Sequence, residues 1–282
     1  MNKYIFRIAF LFLGFTFFSM VSVNAQYYYK DILNNIEQNQ EFSKLKNGNI
    51  KIIKVKSFDE KDQPSKGFFC EKRINKDFSE SQMISKSNIT DQSLLVTKYD
   101  ESGKVIGTTT NTPTTTNTME FKYDSAGLLS MISTKTIGDG DSTGITETHQ
   151  YFYKNGKPEK MLRKINNVLV STITFVADDK GNIIEEDATG NRDDKKYYYY
   201  YDDHNRLTDV VHYNVIAKRL LPDYMFEYDN GNKPIQKISV DETGRNYFIW
   251  RYAYDDKQLP EIQKCYSKEK DLLGTIQFDY AQ

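Results

Sequence analysis

From about residue 95 onward, polar and apolar positions alternate along short segments in the way that β-strands require. Residues 121–124 read Phe-Lys-Tyr-Asp and residues 226–229 read Phe-Glu-Tyr-Asp. Because alternate side chains of a strand point to the same side, the two rings share one face and the charged residue faces the other. Each such segment predicts a strand that ends at its aspartate.

The segment recurs at spacings of 24 to 30 residues, which establishes an internal repeat. Its tyrosine position is occupied by Tyr99, Tyr123, Tyr153, Ala177, Tyr201, Tyr228, Tyr254 and Tyr280. Aspartate favours turns because its side chain can bond the nearby backbone, and the glycine or asparagine that follows tolerates positive φ. Each repeat therefore predicts one β-hairpin, and stacked hairpins place the tyrosine rings in cross-strand packing rather than in a binding row.

Residues 27–47 have a different pattern, in which Ile32, Leu33, Ile36 and Leu45 suit a short amphipathic helix. We expect this helix to cap the open first edge of the sheet. The predicted fold is all-β: one continuous antiparallel meander of stacked hairpins forming one curved, twisted sheet, with a short N-terminal helix. The Thr/Asn-rich residues 108–118 are interpreted as an exposed, poorly packed strand or loop.

The start of the chain predicts an export signal. Lys3 and Arg7 precede an apolar run at residues 8–18, and Val23-Asn24-Ala25 suits cleavage after Ala25. The alternative is an uncleaved membrane anchor, but the run is shorter than the ~20 residues a bilayer needs. The predicted organisation is a signal peptide at 1–25, a helical segment at 26–49 and the repeat domain at 50–282, with a location in the periplasm, at the cell surface or outside the cell, and no membrane span after cleavage.

Composition supports the β prediction and limits the partners. The chain has 21 Tyr and 17 Phe but one Trp, and Tyr and Phe favour strands. A formal charge of −1 offers no global field for nucleic acid. A glycan, a peptide or an envelope protein remain open as partners.

Two cysteines, Cys70 and Cys265, leave two alternatives. An exported protein lives where disulfides persist, so a bridge between them would tie the first repeat to the last. The other alternative is two separate buried thiols, because nothing in the sequence brings the two ends together.

The Tyr-Asp pairs at 99–100, 123–124, 201–202, 228–229 and 254–255, with glycines after three of them, resemble the YD or Rhs-type repeat of large secreted and surface proteins. The resemblance covers about residues 95–282, and the family's Gly-Arg-Leu turn is matched only by Asn205-Arg206-Leu207. It implies a long antiparallel sheet that spirals, and an exported location. Toxin encapsulation is not expected, because the chain has no room for a shell around a cargo and no toxin domain.

Candidate chemistry is sparse. Asp139, Asp141 and Thr143 resemble the start of a calcium loop, but position twelve is Gln150 instead of glutamate, which favours a polar turn. His149, His204 and His212 lack zinc-ligand spacing. No nucleophile elbow, metalloprotease motif or phosphate loop is present in the sequence, so we predict neither an enzyme nor a cofactor.

The tyrosine run at residues 197–201 supplies the candidate ligand-binding residues. If Tyr197, Tyr199 and Tyr201 pack inward, Tyr198 and Tyr200 face the other side as amphipathic contact area. The leading hypothesis is a non-catalytic exported binding or structural protein of the envelope or extracellular space. Its rivals are a glycan hydrolase that uses acidic turn residues such as Asp202-Asp203 and Asp255-Asp256, and a subunit that self-assembles through its sheet edges.

Overall fold

The computed structural model describes residues 27–190, 195–214, 218–241 and 244–282. The helix α1 spans Tyr29–Asn47, inside the segment predicted to be helical. The strands are β1 (Ile52–Phe58), β2 (Phe69–Ile74), β3 (Glu80–Lys86), β4 (Ser93–Tyr99), β5 (Val105–Asn111), β6 (Thr115–Tyr123), β7 (Leu129–Gly138), β8 (Ile145–Lys154), β9 (Lys157–Ile165), β10 (Val168–Ala177), β11 (Ile183–Thr189), β12 (Lys196–Tyr201), β13 (Leu207–Asn214), β14 (Arg219–Tyr228), β15 (Pro234–Val240), β16 (Tyr247–Tyr254), β17 (Pro260–Tyr266) and β18 (Leu272–Ala281). The predicted signal peptide lies outside the described residues.

The strands form one closed antiparallel barrel. Each strand pairs with its neighbours in the chain, and β1 pairs with both β2 and β18. The β1–β18 register runs from Ile52↔Ala281 to Phe58↔Thr275. The prediction of an open, curved sheet is therefore wrong. Strand twist turns each strand relative to the last, and eighteen strands bring the final strand alongside the first, where backbone pairing removes both edges.

Closure also removes the basis of the sheet-edge assembly hypothesis. In the described part of the chain, every strand has a partner strand on both sides. Unpaired backbone donors and acceptors along a strand are what invite another chain to add to a sheet. This barrel offers none along the strands described.

Residue alternation assigns the two faces of the barrel wall. On β1, Ile53 and Val55 are buried in the central cluster, whereas Lys54 and Lys56 are exposed. On β6, Met119 and Phe121 point inward and Lys122 points outward. On these two strands the interior face is therefore aromatic and aliphatic, and the charged residues stand on the outer wall.

The repeated aspartates form the hairpin turns as predicted. Oδ1 of Asp202 accepts hydrogen bonds from the backbone N–H groups of His204 and Arg206 at 2.9 and 3.0 Å. Asp124, Asp229 and Asp255 make the same pair of bonds to the second and fourth residues after them. Gly127, with a φ of 76°, occupies the left-handed position of its turn.

The repeated tyrosines join each hairpin to the one before it. The hydroxyl of Tyr228 donates to the backbone carbonyl of Leu207 at 2.7 Å. The same bond is made by Tyr123 to Val105, Tyr153 to Leu129, Tyr201 to Ile183, Tyr254 to Pro234 and Tyr280 to Pro260. The acceptor is in each case the first residue of an earlier strand, so the hydroxyl explains why the repeat uses tyrosine and not phenylalanine.

A positively charged side chain after the turn links each of these repeats to the repeat that follows it in the chain. The guanidinium of Arg206 lies 4.9 Å from the ring centre of Tyr228 and donates to the carbonyl of Asp229 at 2.8 Å. Lys104 covers Tyr123 and bonds Gly127 in the same way. Neighbouring repeats are therefore linked through both the tyrosine and the turn.

Helix α1 lies inside the barrel. Its side chains contact Tyr99 on β4, Tyr123 on β6 and Tyr151 on β8, and its N-terminal backbone contacts Glu186 on β11. One helix can reach such separated strands of a ring only from within it. The expectation that this helix caps a sheet edge is wrong, because the edge does not exist and the space that needs filling is the interior.

Candidate functional site in the barrel interior

The N-terminus of α1 is held by a fully buried carboxylate. Glu186, with 0% of its surface exposed, accepts hydrogen bonds from the backbone N–H of Tyr28 at 2.7 Å, from that of Tyr29 at 2.8 Å, and from the hydroxyl of Tyr199 at 2.7 Å. Burial raises the pKa of Glu186 to about 7, although these three donors oppose the shift. A negative group at a helix N-terminus also complements the helix dipole.

A second polar cluster fixes the first turn of α1. Nδ1 of His149 lies 2.7 Å from Oδ2 of Asp31, and Nε2 of His149 lies 2.8 Å from Oε1 of Glu147. Arg163 donates to both oxygens of Glu147, and the Tyr151 hydroxyl donates to Asp31. Burial alone would lower the pKa of His149, but its two carboxylate partners raise it to about 9, which makes it an imidazolium at neutral pH.

The middle and the C-terminal half of α1 pack on β4 to β6. Phe42 stacks on Tyr99 with ring centres 3.4 Å apart. Asn35 donates to the Tyr123 hydroxyl at 2.9 Å, and the Asn39 side chain accepts from the backbone N–H of Val105 at 3.0 Å. The helix is thus anchored along its length, and the space it leaves unfilled has fixed walls.

That space is a cavity of about 100 Å³ between one side of α1 and the inner face of β2 to β6. Its polar lining comes from both the helix and the wall. The lining residues are Glu37, Gln38, Glu41, Phe42, Lys72, Ser81, Met83, Leu95, Thr97, Tyr99, Val105, Thr108, Thr110, Asn117, Met119 and Phe121.

Two cross-strand rows build the wall of the cavity. In the first, Ser81 pairs with Thr97 and Thr97 pairs with Thr108. In the second, Leu95 pairs with Thr110 and Thr110 pairs with Asn117. Directly paired residues on one face lie side by side, so hydroxyl groups form a continuous polar strip along the cavity.

Several of these hydroxyls have no partner among the described residues. Ser81 pairs with the Tyr99 hydroxyl at 3.1 Å. The side chains of Thr97, Thr108 and Thr110, by contrast, make no hydrogen bond with the described part of the chain and line the cavity. Thr97 is only 8% exposed, and Thr108 and Thr110 are half-buried. Because all three line the cavity, their hydroxyl groups are available to whatever occupies it.

Glu37 and Glu41 face the same cavity from α1. Burial raises the pKa of Glu41 to about 7; the charge of Lys72 opposes this shift and that of Glu37 adds to it. Partial removal from bulk water inside the barrel also raises the pKa of Glu37, against the charges of Lys237, Lys233 and Lys44. Glu37 is exposed and Glu41 is half-buried, and both line the cavity, so their carboxyl groups face open space rather than packed protein.

The sequence pattern did not predict this site. Residues 108–118 were expected to form an exposed, poorly packed strand or loop, whereas Asn117 is buried and Thr108 and Thr110 line the cavity. The alternation of threonines and the pair of glutamates one helical turn apart were the available signals. Both patterns are also typical of solvated surfaces, and only closure around the helix turns them inward.

The tyrosine run has the predicted alternation. Tyr197 and Tyr199 are each 2% exposed, whereas Tyr200 is 48% exposed. Tyr198 is half-buried, with Lys196 5.6 Å from its ring centre. Tyr198 and Tyr200 stand on the outer wall of a closed barrel, which is convex, so they do not form a concave strip. Their role in binding stays a prediction.

The weak calcium-loop candidate is built as a turn. The carboxylate of Asp141 accepts from the backbone N–H and hydroxyl of Thr143 and from the N–H of Gly144. These bonds lower the pKa of Asp141, and they give both of its carboxylate oxygens a partner within the turn. In the described residues, no group of three or more acidic, histidine or cysteine side chains is placed to hold a metal.

Cys70 and Cys265 are separate buried thiols, on β2 and β17, and do not form the disulfide that was one alternative. Strands β18 and β1 lie between them. Burial raises the pKa of each thiol to about 12. Neither therefore has the thiolate character that reactive cysteines need.

The carboxylates of Asp202 and Asp255 accept hydrogen bonds within their own turns. Asp202 binds its turn backbone and the guanidinium of Arg206, which lowers its pKa to about 2. Asp255 binds the backbone of Lys257 and Leu259. Asp203 and Asp256, the other members of the two acidic pairs, are exposed, and the hydrolase alternative stays a prediction.

No protein-family model and no curated protein matches this chain. Solved structures overlap it weakly. Porin-like proteins from Bacteroides vulgatus and Bacteroides uniformis have TM-scores of 0.40 and 0.39 at 15% and 10% identity, covering 71% and 82% of this chain and 97% and 98% of theirs. A TcdB2-TccC3 structure has a TM-score of 0.34 at 11% identity over 73% of this chain, which spans about an eighth (12%) of that longer protein. Scores this low do not establish a shared fold, and the likeness to YD or Rhs-type repeats stays a prediction.

Proposed function

We propose that this chain is an exported, non-catalytic binding protein that holds a small polar ligand in its interior cavity. The observation that carries the proposal is the strip of hydroxyls from Thr97, Thr108 and Thr110, which have no partner in the described part of the chain, along a cavity of about 100 Å³. This cavity is smaller than the ~150 Å³ engineered cavity that accepts a benzene ring, so its ligand has to be small. A ligand with hydroxyl or amine groups would satisfy these side chains better than an apolar one.

The rigidity of the walls supports binding. The wall strands are paired on both sides, and α1 is anchored by Glu186 at one end and by the stack of Phe42 on Tyr99 further along. A site that is ordered before binding loses less conformational entropy when the ligand enters. The ligand therefore does not have to order the loops or the helix.

The outer wall carries both charged and apolar side chains. Lys54 and Lys122 are exposed on it, and so are Ile84 and Val176. No helix in the described ranges is long and apolar enough to cross a membrane. We propose that the mature protein is exported to the periplasm, the cell surface or the outside of the cell, as the start of the chain predicts.

A hydrolase fits the interior less well. Glycosidases place two carboxyl groups on either side of the bond that they cleave. Glu37 and Glu41 project from the same side of one helix, four residues apart. This arrangement favours recognition of a charge over acid–base attack from two sides.

Binding can be tested by a titration of small polyols and amines followed by NMR, with Thr108→Val as the site variant. The change removes one hydroxyl and should weaken binding up to about tenfold, because a neutral hydrogen bond contributes ~0.5–1.5 kcal/mol. Thr118→Val is the matched control, since Thr118 is half-buried like Thr108 but lies on the opposite face of the adjacent strand, outside the cavity. Binding that Thr108→Val leaves unchanged would count against the site.

Export is tested separately. The full chain, expressed in a bacterium with a cell envelope, should be recovered outside the cytoplasm with Gln26 as its first residue. Recovery of the uncleaved chain in the membrane fraction would support the anchor alternative instead.

A further inference from the structure

We propose that the ligand is a small amine that also carries hydroxyl groups, of the amino-alcohol or amino-sugar kind, and that Glu37 and Glu41 bind its ammonium group. The inference rests on the proposed function, because it assigns a chemical class to the ligand of the same cavity. The choice of an amine depends on which carboxylates in the barrel interior already bind donors of the protein and which do not.

Three interior carboxylates are fully engaged by the protein. Glu186 binds two backbone N–H groups and a tyrosine hydroxyl. Asp31 binds His149 and Tyr151, and Glu147 binds His149 and Arg163. These three fix the helix to the wall, and each of them accepts hydrogen bonds from the protein.

Glu37 and Glu41 differ from those three. Within the described ranges, neither carboxyl group makes a hydrogen bond or an ion pair, although both line the cavity. They are four residues apart on one face of α1, where like charges repel each other. A cation between them would remove the repulsion and supply both with donors.

The wall opposite α1 supplies hydroxyl groups that could bind the hydroxyls of the ligand. Thr97 is more than nine-tenths buried, opens onto the cavity and has no partner in the described part of the chain. Its cross-strand neighbour Thr108 is likewise unpartnered. Hydroxyls on one wall and carboxylates on the other match a molecule that presents hydroxyl groups at one end and an ammonium at the other.

The positive side chains near the cavity do not substitute for such a ligand. Lys72, Lys44 and Lys233 lower the pKa of Glu41, but the shift caused by burial is larger. Lys237, Lys233 and Lys44 lower the pKa of Glu37, and burial again has the larger effect. The protein's own cations therefore compensate the two ionised carboxyl groups only in part. A bound ammonium would lower both pKa values.

The test is calorimetry with ethanolamine, compared with ethylene glycol as its neutral counterpart. At pH 8, where ethanolamine is mostly protonated, it should bind at least about tenfold more tightly than ethylene glycol, as a charge-assisted hydrogen bond implies. Glu41→Gln and Glu37→Gln should each reduce this preference several-fold. Affinity for ethanolamine should also fall between pH 8 and pH 5.5, as Glu41 takes up its proton.

The control is Glu120→Gln, which removes a carboxylate from the exposed outer face of β6 and should leave binding unchanged. Thermal melts establish that the glutamine variants fold. Ethylene glycol that binds as tightly as ethanolamine, in a manner sensitive to Thr108→Val, would overturn the amine assignment and leave the cavity as a binding site. Binding of neither compound would overturn both proposals.

Discussion

Nδ1 of His149 lies 2.7 Å from Oδ2 of Asp31, and the two residues are separated by 118 positions in the chain. This contact ties the first turn of α1 to the middle of the barrel wall. Both residues are largely buried, and Glu147 and Arg163 extend the cluster on the far side of the imidazole. The position of the helix therefore depends on a charged histidine, because a neutral ring cannot donate to both carboxylates at once.

Stability should fall at alkaline pH because of this histidine. Its folded-state pKa, about 9, is above its ordinary value of 6.5, so its contribution is fully present below about 6.5 and is lost as pH rises through about 9. The loss should be on the order of 3 kcal/mol in the free energy of unfolding. His149→Gln should be less stable than the native chain at pH 6, and the difference should shrink by pH 10. Denaturant titrations across this range measure it.

His204→Gln is the control for that experiment. His204 is exposed in the β12–β13 turn, and only its backbone N–H is bonded to Asp202. This variant should follow the native pH profile. A constant difference between His149→Gln and the native chain from pH 6 to pH 10 would contradict an imidazolium in the cluster.

The tyrosine of each repeat should stabilise the barrel through its hydroxyl as well as its ring. Tyr228→Phe keeps the ring over which Arg206 lies but removes the 2.7 Å bond to the carbonyl of Leu207. We expect a loss of about 1 kcal/mol in the free energy of unfolding, somewhat more if the carbonyl is left without water. Urea unfolding gives the value.

Tyr200→Phe is the matched change on the outer wall, where the hydroxyl has no partner in the described part of the chain. It should alter the free energy of unfolding by less than about 0.5 kcal/mol. Equal losses in the two variants would mean that the repeated tyrosine is retained for packing alone.

Local pattern was sufficient to predict the repeat unit. The aspartate turns, the strands that end at tyrosine and the inward position of Tyr197 and Tyr199 follow from two-residue alternation and turn chemistry. These features depend on residues within a few positions of each other. They would be the same in an open or a closed sheet.

Closure and the cavity depend on distant pairs, which the pattern does not encode. The register of Val55 with Phe278 is set by the summed twist of all the strands between them. Glu37 and Glu41 have the spacing of an ordinary solvated helix face, and only the ring around them makes them interior residues. The position of the helix inside the barrel could not be predicted either, because it also depends on closure of the ring.

The buried carboxylate Glu186 should control docking of the helix. Glu186→Ala leaves the N–H groups of Tyr28 and Tyr29 and the Tyr199 hydroxyl without their acceptor, at a cost of ~1–3 kcal/mol for each group that stays buried. We expect faster hydrogen exchange in the first turns of α1, while the wall strands stay protected. Glu185→Ala is the control, since it removes only an outer-wall ion pair with Lys196. Faster exchange throughout the wall in Glu186→Ala would show that the helix and barrel unfold as one unit.

Closure of the barrel can be tested with an engineered disulfide between the first and last strands. Lys56 and Gln277 are direct cross-strand neighbours in the β1–β18 register. In the chain carrying Lys56→Cys and Gln277→Cys, mild oxidation should form an intramolecular bond and raise the free energy of unfolding by ~2–4 kcal/mol. The native thiols should not compete, because burial raises the pKa of Cys70 and Cys265 to about 12. Lys56→Cys with Lys122→Cys, on separated strands, should stay reduced or form only cross-links between chains. Peptide mapping identifies which cysteines are joined. If the Lys56/Gln277 pair also gave only cross-links between chains, the sheet would be open in solution.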